Sequence, residues 1–335
     1  MTKRFRSVFQ YLLILGATVF LVWFSLRGIR VEGTENTLQD KWSYLYKTWQ
    51  LSDKGWLLLM AGLSMISHLI RAERWRMLLV SAGSNTTLHQ SFLSLLIGYL
   101  VNLVIPRGGE ISRCYNIQQL NKTSIEVSLG TVVMERIIDV LCLLAVLAVT
   151  FLLQADRLFA FINSLPLGGG GSNFEKLLIL LAIAVVLFSV LVWILWRRPK
   201  VKAWFHKIFL GFRGGLLSIL KLQRPLLFIG YSIAIWLLYF VMSYVVMLAF
   251  PATDSLGLGA VLSIFALGAI AMVAPLPGGA GAYHTLVPAG VSFLYAITIS
   301  DATAFVFVFH AWQTLIMIVA GVIALISSSL LAKKP

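Results

Sequence analysis

Three ionisable residues lie inside a long apolar stretch at about residues 124–153, and their chemistry points to a site. They are Glu135, Arg136 and Asp139. In a helix that starts near Ser124, Glu135 lies about 16 Å along the axis at 1.5 Å per residue. Ionisable groups at that depth in a membrane helix are costly and are typical of functional sites. An arginine released from its carboxylate partner can bind a lipid phosphate.

The same residues also fit a purely structural network of ion pairs. Arg136 and Asp139 have the i, i+3 spacing of a helical ion pair. The charges that lie near them in the sequence are balanced, with Arg107, Arg113 and Arg136 against Glu110, Glu135 and Asp139. Phosphate binding and internal charge pairing therefore both remain open from the sequence.

A break in an apolar stretch precedes this segment. Pro106, Arg107, Gly109 and Glu110 lie in the turn PRGGE, and Asn102 comes just before it. Exposed backbone amides at a broken helix can hold an anion, so we predict that Asn102, Arg107 and Glu110 contact substrate and that Pro106 and Gly109 act as a hinge. A cytoplasmic loop with ordinary positive charge is the alternative.

A second break has the sequence PLPGGAGAYH and is followed by two polar side chains, Tyr283 and His284. We predict that both line a substrate path; close helix packing by small residues is the alternative. Further along, His310 and Gln313 have i, i+3 spacing and could relay protons or bind a headgroup. The hinge residues predicted here are Pro277, Gly278, Gly279 and Gly281.

The elements that position these residues are predicted to be membrane helices. Of the 335 residues, 59% are hydrophobic and only 12% charged, and the mean hydropathy is +0.89, whereas soluble domains carry about twice that share of charge. The net charge is +14. The Lys and Arg residues of the chain lie between apolar runs. This placement argues against nucleic acid as a partner and favours anionic phospholipids at the cytoplasmic face. The two cysteines and five histidines form no metal-ligand or cofactor motif.

We predict an all-α polytopic membrane protein with a single domain, 1–335, and about six full transmembrane helices. A span needs about 20 apolar residues, and the candidates are residues 8–26, 55–70, 124–153, 176–196, 225–250 and 301–330. Two shorter, broken stretches are predicted to be re-entrant hairpins, at about 88–121 and 257–299. Residues 199–224 read as a basic, amphipathic, interfacial segment.

The distribution of basic residues predicts the orientation of the chain. Lys and Arg near short loops favour the cytoplasm, so both termini and the segment that holds Arg71 and Arg74 are predicted to be cytoplasmic. The mixed-charge residues 27–54 would then face outward and fit the rule least well. The two hairpins would enter from opposite sides, as an inverted repeat produces.

The chain resembles the flippase-like membrane family named after the transmembrane region of lysylphosphatidylglycerol synthase. The matching pieces cover most of the chain and are Arg71-x-Glu73-Arg74-Trp75 with Leu78-Leu79, Gly98-x3-Asn102-x3-Pro106-Arg107-x-Gly109-Glu110-x2-Arg113, Glu135-Arg136-x2-Asp139 and Pro275-x-Pro277-Gly278-Gly279-x-Gly281. In bifunctional members of the family, a soluble aminoacyl-transferase domain modifies phosphatidylglycerol, and the membrane part is thought to translocate the product. This sequence shows no such soluble domain, so the resemblance implies translocation alone.

We therefore expect a translocase of an inner or plasma membrane that binds the phosphate-bearing headgroup of a lipid or polyprenyl-linked substrate. Arg107, Arg113 and Arg136 would bind the phosphate, with Glu110, Glu135 and Asp139 as counter-ions. One alternative is a membrane-embedded lipid-modifying enzyme with Glu135 or His310 as general base, which the lack of a catalytic motif disfavours. The other is a non-transporting partner of an envelope lipid or glycan synthesis complex.

Overall fold

The computed structural model describes residues 16, 18–164, 213, 217–272 and 276–332, and the regular structure in this part of the chain is helical. The α-helices are α1 (Leu38–Leu51), α2 (Lys54–Ser81), α3 (Leu88–Asn102), α4 (Gly108–Asn121), α5 (Ile125–Ser164), α6 (Pro225–Leu248), α7 (Leu258–Ala271), α8 (Ala282–Tyr295) and α9 (Ile299–Ala332). Short 3-10 helices lie at Leu217–Lys221 and Pro277–Gly279.

In the described residues, α2, α5, α6 and α9 are long and apolar enough to cross a membrane. They correspond to four of the six predicted spans, which confirms a helical polytopic membrane protein. The predicted span at 176–196 lies outside the described residues, as does much of the one at 8–26, of which residues 18–26 are helical. The amphipathic segment predicted at 199–224 also lies largely outside them.

Side chains at the N-termini explain where three helices begin. Thr37 and Asp40 form a capping box before α1, and Thr87 and Gln90 form another before α3. Asp53 caps α2, accepting a hydrogen bond from Gly55 N at 2.7 Å. Each cap satisfies backbone N–H groups that have no partner within the helix.

Large apolar side chains cover the outside of the long helices. Leu152 is 80% exposed and Leu226 is 83% exposed, and many other large apolar side chains on α2, α5, α6 and α9 are also exposed. Soluble proteins rarely expose continuous apolar surface on this scale. Lipid is the solvent that suits such a surface, so the chain is an integral membrane protein.

Helices α3 and α4 form a helical hairpin, as predicted for residues 88–121. With 15 and 14 residues, they are about 22 and 21 Å long, which is shorter than the ~30 Å of bilayer hydrocarbon. Re-entrance of this hairpin therefore stays a prediction that the helix lengths favour.

A hydroxyl clasp, formed by Ser84, Thr86, Asn121 and Thr123, joins the two ends of this hairpin. The Ser84 hydroxyl lies 2.5 Å from the Thr86 hydroxyl and 2.6 Å from that of Thr123. Asn121 Nδ2 donates to Thr86 Oγ1 at 2.7 Å. The loop that leaves α2 and the loop that enters α5 thus meet at one point.

Helices α7 and α8 form the second hairpin, with the 3-10 turn Pro277–Gly279 between them. Each has 14 residues and is about 21 Å long. The hairpin follows the end of α6, whereas the first follows the end of α2. Because Asp53 N–H donates to Ala249 O at 2.8 Å, α2 begins where α6 ends, and these two helices run in opposite directions. The two hairpins thus depart from opposite ends of the α2–α6 pair, and opposite entry into the membrane stays a prediction, as does the inverted repeat.

The main apolar core joins the start of α2, the end of α6, α7, α8 and the first half of α9. Its members include Phe250 and Phe305, whose rings meet edge to face at 5.1 Å. A smaller core packs α2, α4 and α5 around Trp75 and Cys114. This smaller core lies beside the charged cluster described next and holds its helices together.

Candidate functional site

Glu135 of α5 is the centre of a buried ion network. Its side chain is fully buried, and it accepts hydrogen bonds from arginines on two other helices. Arg71 Nε of α2 donates at 2.8 Å and Arg74 Nη2 at 3.3 Å. Arg113 Nη2 of α4 donates to its second oxygen at 2.7 Å. One carboxylate therefore holds three helices together.

Asp139, one turn further along α5, is a second, largely buried acceptor. It accepts from Arg74 Nη2 at 2.6 Å and also bonds Arg71. Arg136, the partner that the i, i+3 spacing predicts, is 3.9 Å away. The principal partners of Asp139 thus come from α2, more than 60 residues earlier in the chain.

Arg136 and Glu110 form a more open pair at the edge of the network. Arg136 Nη2 donates to Glu110 Oε1 at 2.7 Å, and the side chains are 43% and 20% exposed. In the described part of the chain, Arg136 Nε and Glu110 Oε2 are buried without a hydrogen-bond partner. A single bond therefore holds this pair, which leaves part of each group available to another partner.

Neutral side chains complete the surroundings of the arginines. Arg71 donates to the Tyr239 hydroxyl at 2.9 Å, and Arg74 donates to the Ser232 hydroxyl at 3.2 Å. The guanidinium of Arg113 lies 4.6 Å from the centre of the Trp75 ring, a cation–π contact. These contacts fix the orientation of each guanidinium inside the protein.

Among the described residues, the network carries one excess positive charge, because four guanidinium groups meet three carboxylates. They are Arg71, Arg74, Arg113 and Arg136 against Glu110, Glu135 and Asp139. Buried charges are tolerated only when they are paired and hydrogen-bonded. An excess guanidinium in such a place is suited to an anionic ligand.

A second polar cluster lies where α8 begins and packs against α9. The rings of His284 and His310 are 4.7 Å apart, and Tyr283 stacks on His310 at 5.6 Å. His284 Nδ1 accepts a hydrogen bond from Gly281 N–H at 3.2 Å. His284 therefore closes the turn of the second hairpin, in addition to any role towards a substrate. Gln313 lies on the same helix as His310, is half-buried and is one turn away.

The two predicted hinges differ in what their glycines do. Gly279 and Gly281 have φ of 74° and 92°, and these left-handed values favour glycine. In the first hairpin, a Cβ on Gly109 would lie 2.1 Å from the Gly98 carbonyl oxygen, so α3 and α4 touch through their backbones. Gly109 thus serves close packing, whereas Gly279 and Gly281 serve the shape of a turn.

Asn102 and Arg107 shape the turn of the first hairpin. Asn102 Oδ1 accepts from Gly109 N–H at 2.8 Å, so it satisfies an amide in the first turn of α4. Arg107 has φ of 58° and directly precedes α4, which begins at Gly108. The amide oxygen of Asn102, predicted to contact substrate, is thus used by the backbone.

The predicted span at 55–70 is too short, because it ends just before Arg71 and Arg74. Both lie within α2, where they are 6% and 0% exposed, and they supply most of the bonds to Glu135 and Asp139. A signal was present in the sequence, because no glycine or proline separates Ile70 from Ser81. The apolar span could therefore have been continued through both arginines as one helix.

The helices and the network together define an α-helical integral membrane protein with a buried arginine–carboxylate site. The chain belongs to the family described as the lysylphosphatidylglycerol synthase TM region, whose sequence model matches residues 12–321. This match confirms the family resemblance drawn from the motifs. No curated protein and no solved structure matches the chain significantly. Among the residues that the structure describes, no group of three or more His, Cys, Asp or Glu side chains could hold a metal ion.

Proposed function

We propose that the protein translocates a lipid or polyprenyl-linked substrate whose phosphate is bound by the ion network. The observation that carries this proposal is the open pair of Arg136 and Glu110 at the edge of a network with one excess positive charge. A phosphodiester carries one negative charge and would compensate that excess. The acyl or prenyl chains stay in the surrounding lipid.

Exchange of partners at Arg136 is the first step of the proposed mechanism. The phosphate replaces Glu110 as the partner of Arg136, whose side chain is 43% exposed and held by one hydrogen bond. Two parallel N–H···O bonds to phosphate are stronger than the single bond that they replace. Arg113, which already bonds Glu135, lies on the same hairpin as Glu110 and completes the anion site.

Movement of the two hairpins would then carry the headgroup across the membrane. The turn of the second hairpin, with Gly279 and Gly281 at positive φ, provides a position where the backbone can change direction. Tyr283, His284 and His310 would line the path beyond the ion network. We place both termini in the cytoplasm and expect the basic residues to contact anionic phospholipids there.

Translocation in proteoliposomes tests the proposal. The change Arg136→Gln should lower the flipping rate of a fluorescent anionic phospholipid or polyprenyl phosphate at least tenfold. Arg76→Gln is the matched control, because Arg76 is 34% exposed, against 43% for Arg136, and pairs with Glu73 through two bonds of 2.6 Å. The control should flip lipid at the wild-type rate.

Two outcomes would count against the proposal. Equal rates for Arg136→Gln and Arg76→Gln would remove Arg136 from the substrate path. Full recovery in the double variant Arg136→Gln with Glu110→Gln would show that charge pairing alone matters at this position. A change in the total lipid composition of cells, rather than in its sidedness, would favour the lipid-modifying enzyme instead.

A further inference from the structure

Two histidines lie ring to ring where the second hairpin packs against α9. The ring of His284, in the first turn of α8, is 4.7 Å from that of His310 on α9, and the two are nearly perpendicular. His284 is 5% exposed. Histidine is the side chain whose charge changes near neutral pH, so the buried pair offers a place where a proton can bind.

Aromatic rings surround the histidine pair. Tyr283 stacks on His310 with ring centres 5.6 Å apart, and the Phe307 ring lies 4.3 Å from that of His284. The face of an aromatic ring attracts a cation. These rings can therefore stabilise an imidazolium without neutralising its charge.

The elements that pack against the start of α8 bring few other ionisable groups to the pair. Helix α7 and the described residues 18–26 contain none. On α9, Asp301 comes nine residues before His310 and accepts from the Tyr44 hydroxyl instead. Two imidazolium rings this close would repel each other, so the pair is suited to one proton and not to two.

Helix α5 also contacts α8, and its charged groups are engaged elsewhere. Glu135 and Asp139 are paired with arginines in the ion network. The Arg157 guanidinium lies 5.4 Å from the ring of Tyr295, the last residue of α8. That position is about 20 Å along the helix from its start, so His310 is the ionisable partner that faces His284.

His284 also holds the turn of the second hairpin through a bond that protonation would break. Its Nδ1 accepts a hydrogen bond from Gly281 N–H at 3.2 Å. A protonated imidazole carries a hydrogen on both nitrogens, so two N–H groups would then face each other. Gly279 and Gly281 have positive φ, and glycine can leave that conformation at little steric cost. The charge of His284 and the shape of the turn are thus linked.

We infer that the pair of His284 and His310 binds one proton and couples its passage across the membrane to that of the lipid. The inference rests on the proposed function and adds its source of energy. A proton from the water on one side binds Nδ1 of His284, the bond from Gly281 N–H is lost, and the turn changes shape. Release of the proton to the other side restores the bond. A phosphodiester headgroup carries one negative charge, so its movement together with one proton transfers no net charge.

Lipid movement in proteoliposomes under imposed gradients tests this coupling. At zero membrane potential, a pH difference of one sign should raise the initial flipping rate of fluorescent phosphatidylglycerol about fivefold, the lower end of the usual coupling between two sites. A potassium diffusion potential at equal pH should leave the rate unchanged. Pyranine trapped in the vesicles should report proton movement that accompanies the lipid.

The variant His284→Asn separates protonation from the shape of the turn. The amide oxygen of asparagine takes the place of Nδ1 and can still accept from Gly281 N–H, but it does not bind a proton near neutral pH. The ratio of its rates with and without the pH difference should fall to about one. The matched control is His89→Asn, because His89 is exposed in the first turn of α3. The control should keep the wild-type ratio.

The outcomes separate this inference from the proposed function. Wild-type flipping that ignores the pH difference, or a full response in His284→Asn, would overturn the coupling and leave lipid translocation standing. A rate that follows the membrane potential would overturn the transfer of one proton with each anionic lipid. If His284→Asn does not fold, the absence of a pyranine signal during wild-type flipping would overturn the coupling. No lipid movement under any condition would overturn the proposed function and the coupling with it.

Discussion

Replacing Glu135 with glutamine should destabilise the protein more than any other single change of a carboxylate to its amide. Glutamine keeps the volume of the side chain and removes its charge. In the wild type, the carboxylate accepts from Arg71 at 2.8 Å, Arg74 at 3.3 Å and Arg113 at 2.7 Å. Without it, Arg71 and Arg74 would keep Asp139 as their anion, and Arg113 would lose its carboxylate partner among these contacts.

The size of the effect follows from the burial of the group. Glu135 is fully buried, and breaking a buried ion pair by removing one partner costs about 3–5 kcal/mol. We expect a loss in this range for Glu135→Gln. The double variant Glu135→Gln with Arg113→Met should recover most of it, because it removes a cation as well and restores the net charge of the network.

Reversible unfolding in mixed detergent and SDS micelles gives the free energy directly. Glu126→Gln is the control, since Glu126 is exposed on the first turn of the same helix and should change stability by less than about 0.5 kcal/mol. A loss below about 1 kcal/mol for Glu135→Gln, or no recovery in the double variant, would refute the view that Glu135 neutralises the arginines.

Two further predictions concern the packing of α3 against α4 and a hydrogen bond between α1 and α9. Gly109→Ala should cost about 1–3 kcal/mol by overpacking, because its Cβ would lie 2.1 Å from Gly98 O and backbone atoms cannot move aside alone. Tyr44→Phe should cost about 1 kcal/mol, because the Tyr44 hydroxyl donates to Asp301 Oδ1 at 2.6 Å. Burial and the Asp301 carboxylate raise the pKa of Tyr44, so this contribution is complete below the ordinary tyrosine pKa of about 10 and fades as pH rises through the raised value.

Thermal unfolding of the purified variants checks both predictions. Gly62→Ala is the control for the packing change, since a Cβ on Gly62 would meet nothing within 4 Å. Its stability should equal or exceed that of the wild type. For Tyr44→Phe, the difference from the wild type should stay constant between about pH 6 and 9. A difference that grows across this interval would contradict the assignment to Tyr44.

The long helices and their breaks could be predicted because local sequence determines them. Apolar length is sufficient to place α5, α6 and α9, and proline and glycine mark both hairpin turns. The position of Glu135 along α5 also follows from counting residues. These features need no knowledge of which helices are neighbours.

The partners of Glu135 could not be predicted from local sequence. Arg71 and Arg74 end a predicted apolar run, and arginine at the end of a membrane span usually faces the cytoplasm. Their carboxylates lie more than 60 residues away in sequence, so only the packing of α2 against α5 shows that they are buried. The role of Asn102 was hidden in the same way, because a backbone amide uses its side chain.

The hydroxyl clasp has a consequence for the register of the whole network. The first hairpin begins and ends at the clasp, so positions along both α2 and α5 can be counted from the clasp as a common origin. Arg71 comes ten residues before the end of α2 at Ser81, and Glu135 comes ten residues after the start of α5 at Ile125. At 1.5 Å per residue, both side chains lie about 15 Å from that origin. The clasp thus sets the register of α2 against α5, because Arg71 and Glu135 lie at equal distances from it. One residue inserted between Thr123 and Glu135 would turn the carboxylate about 100° away from its arginines.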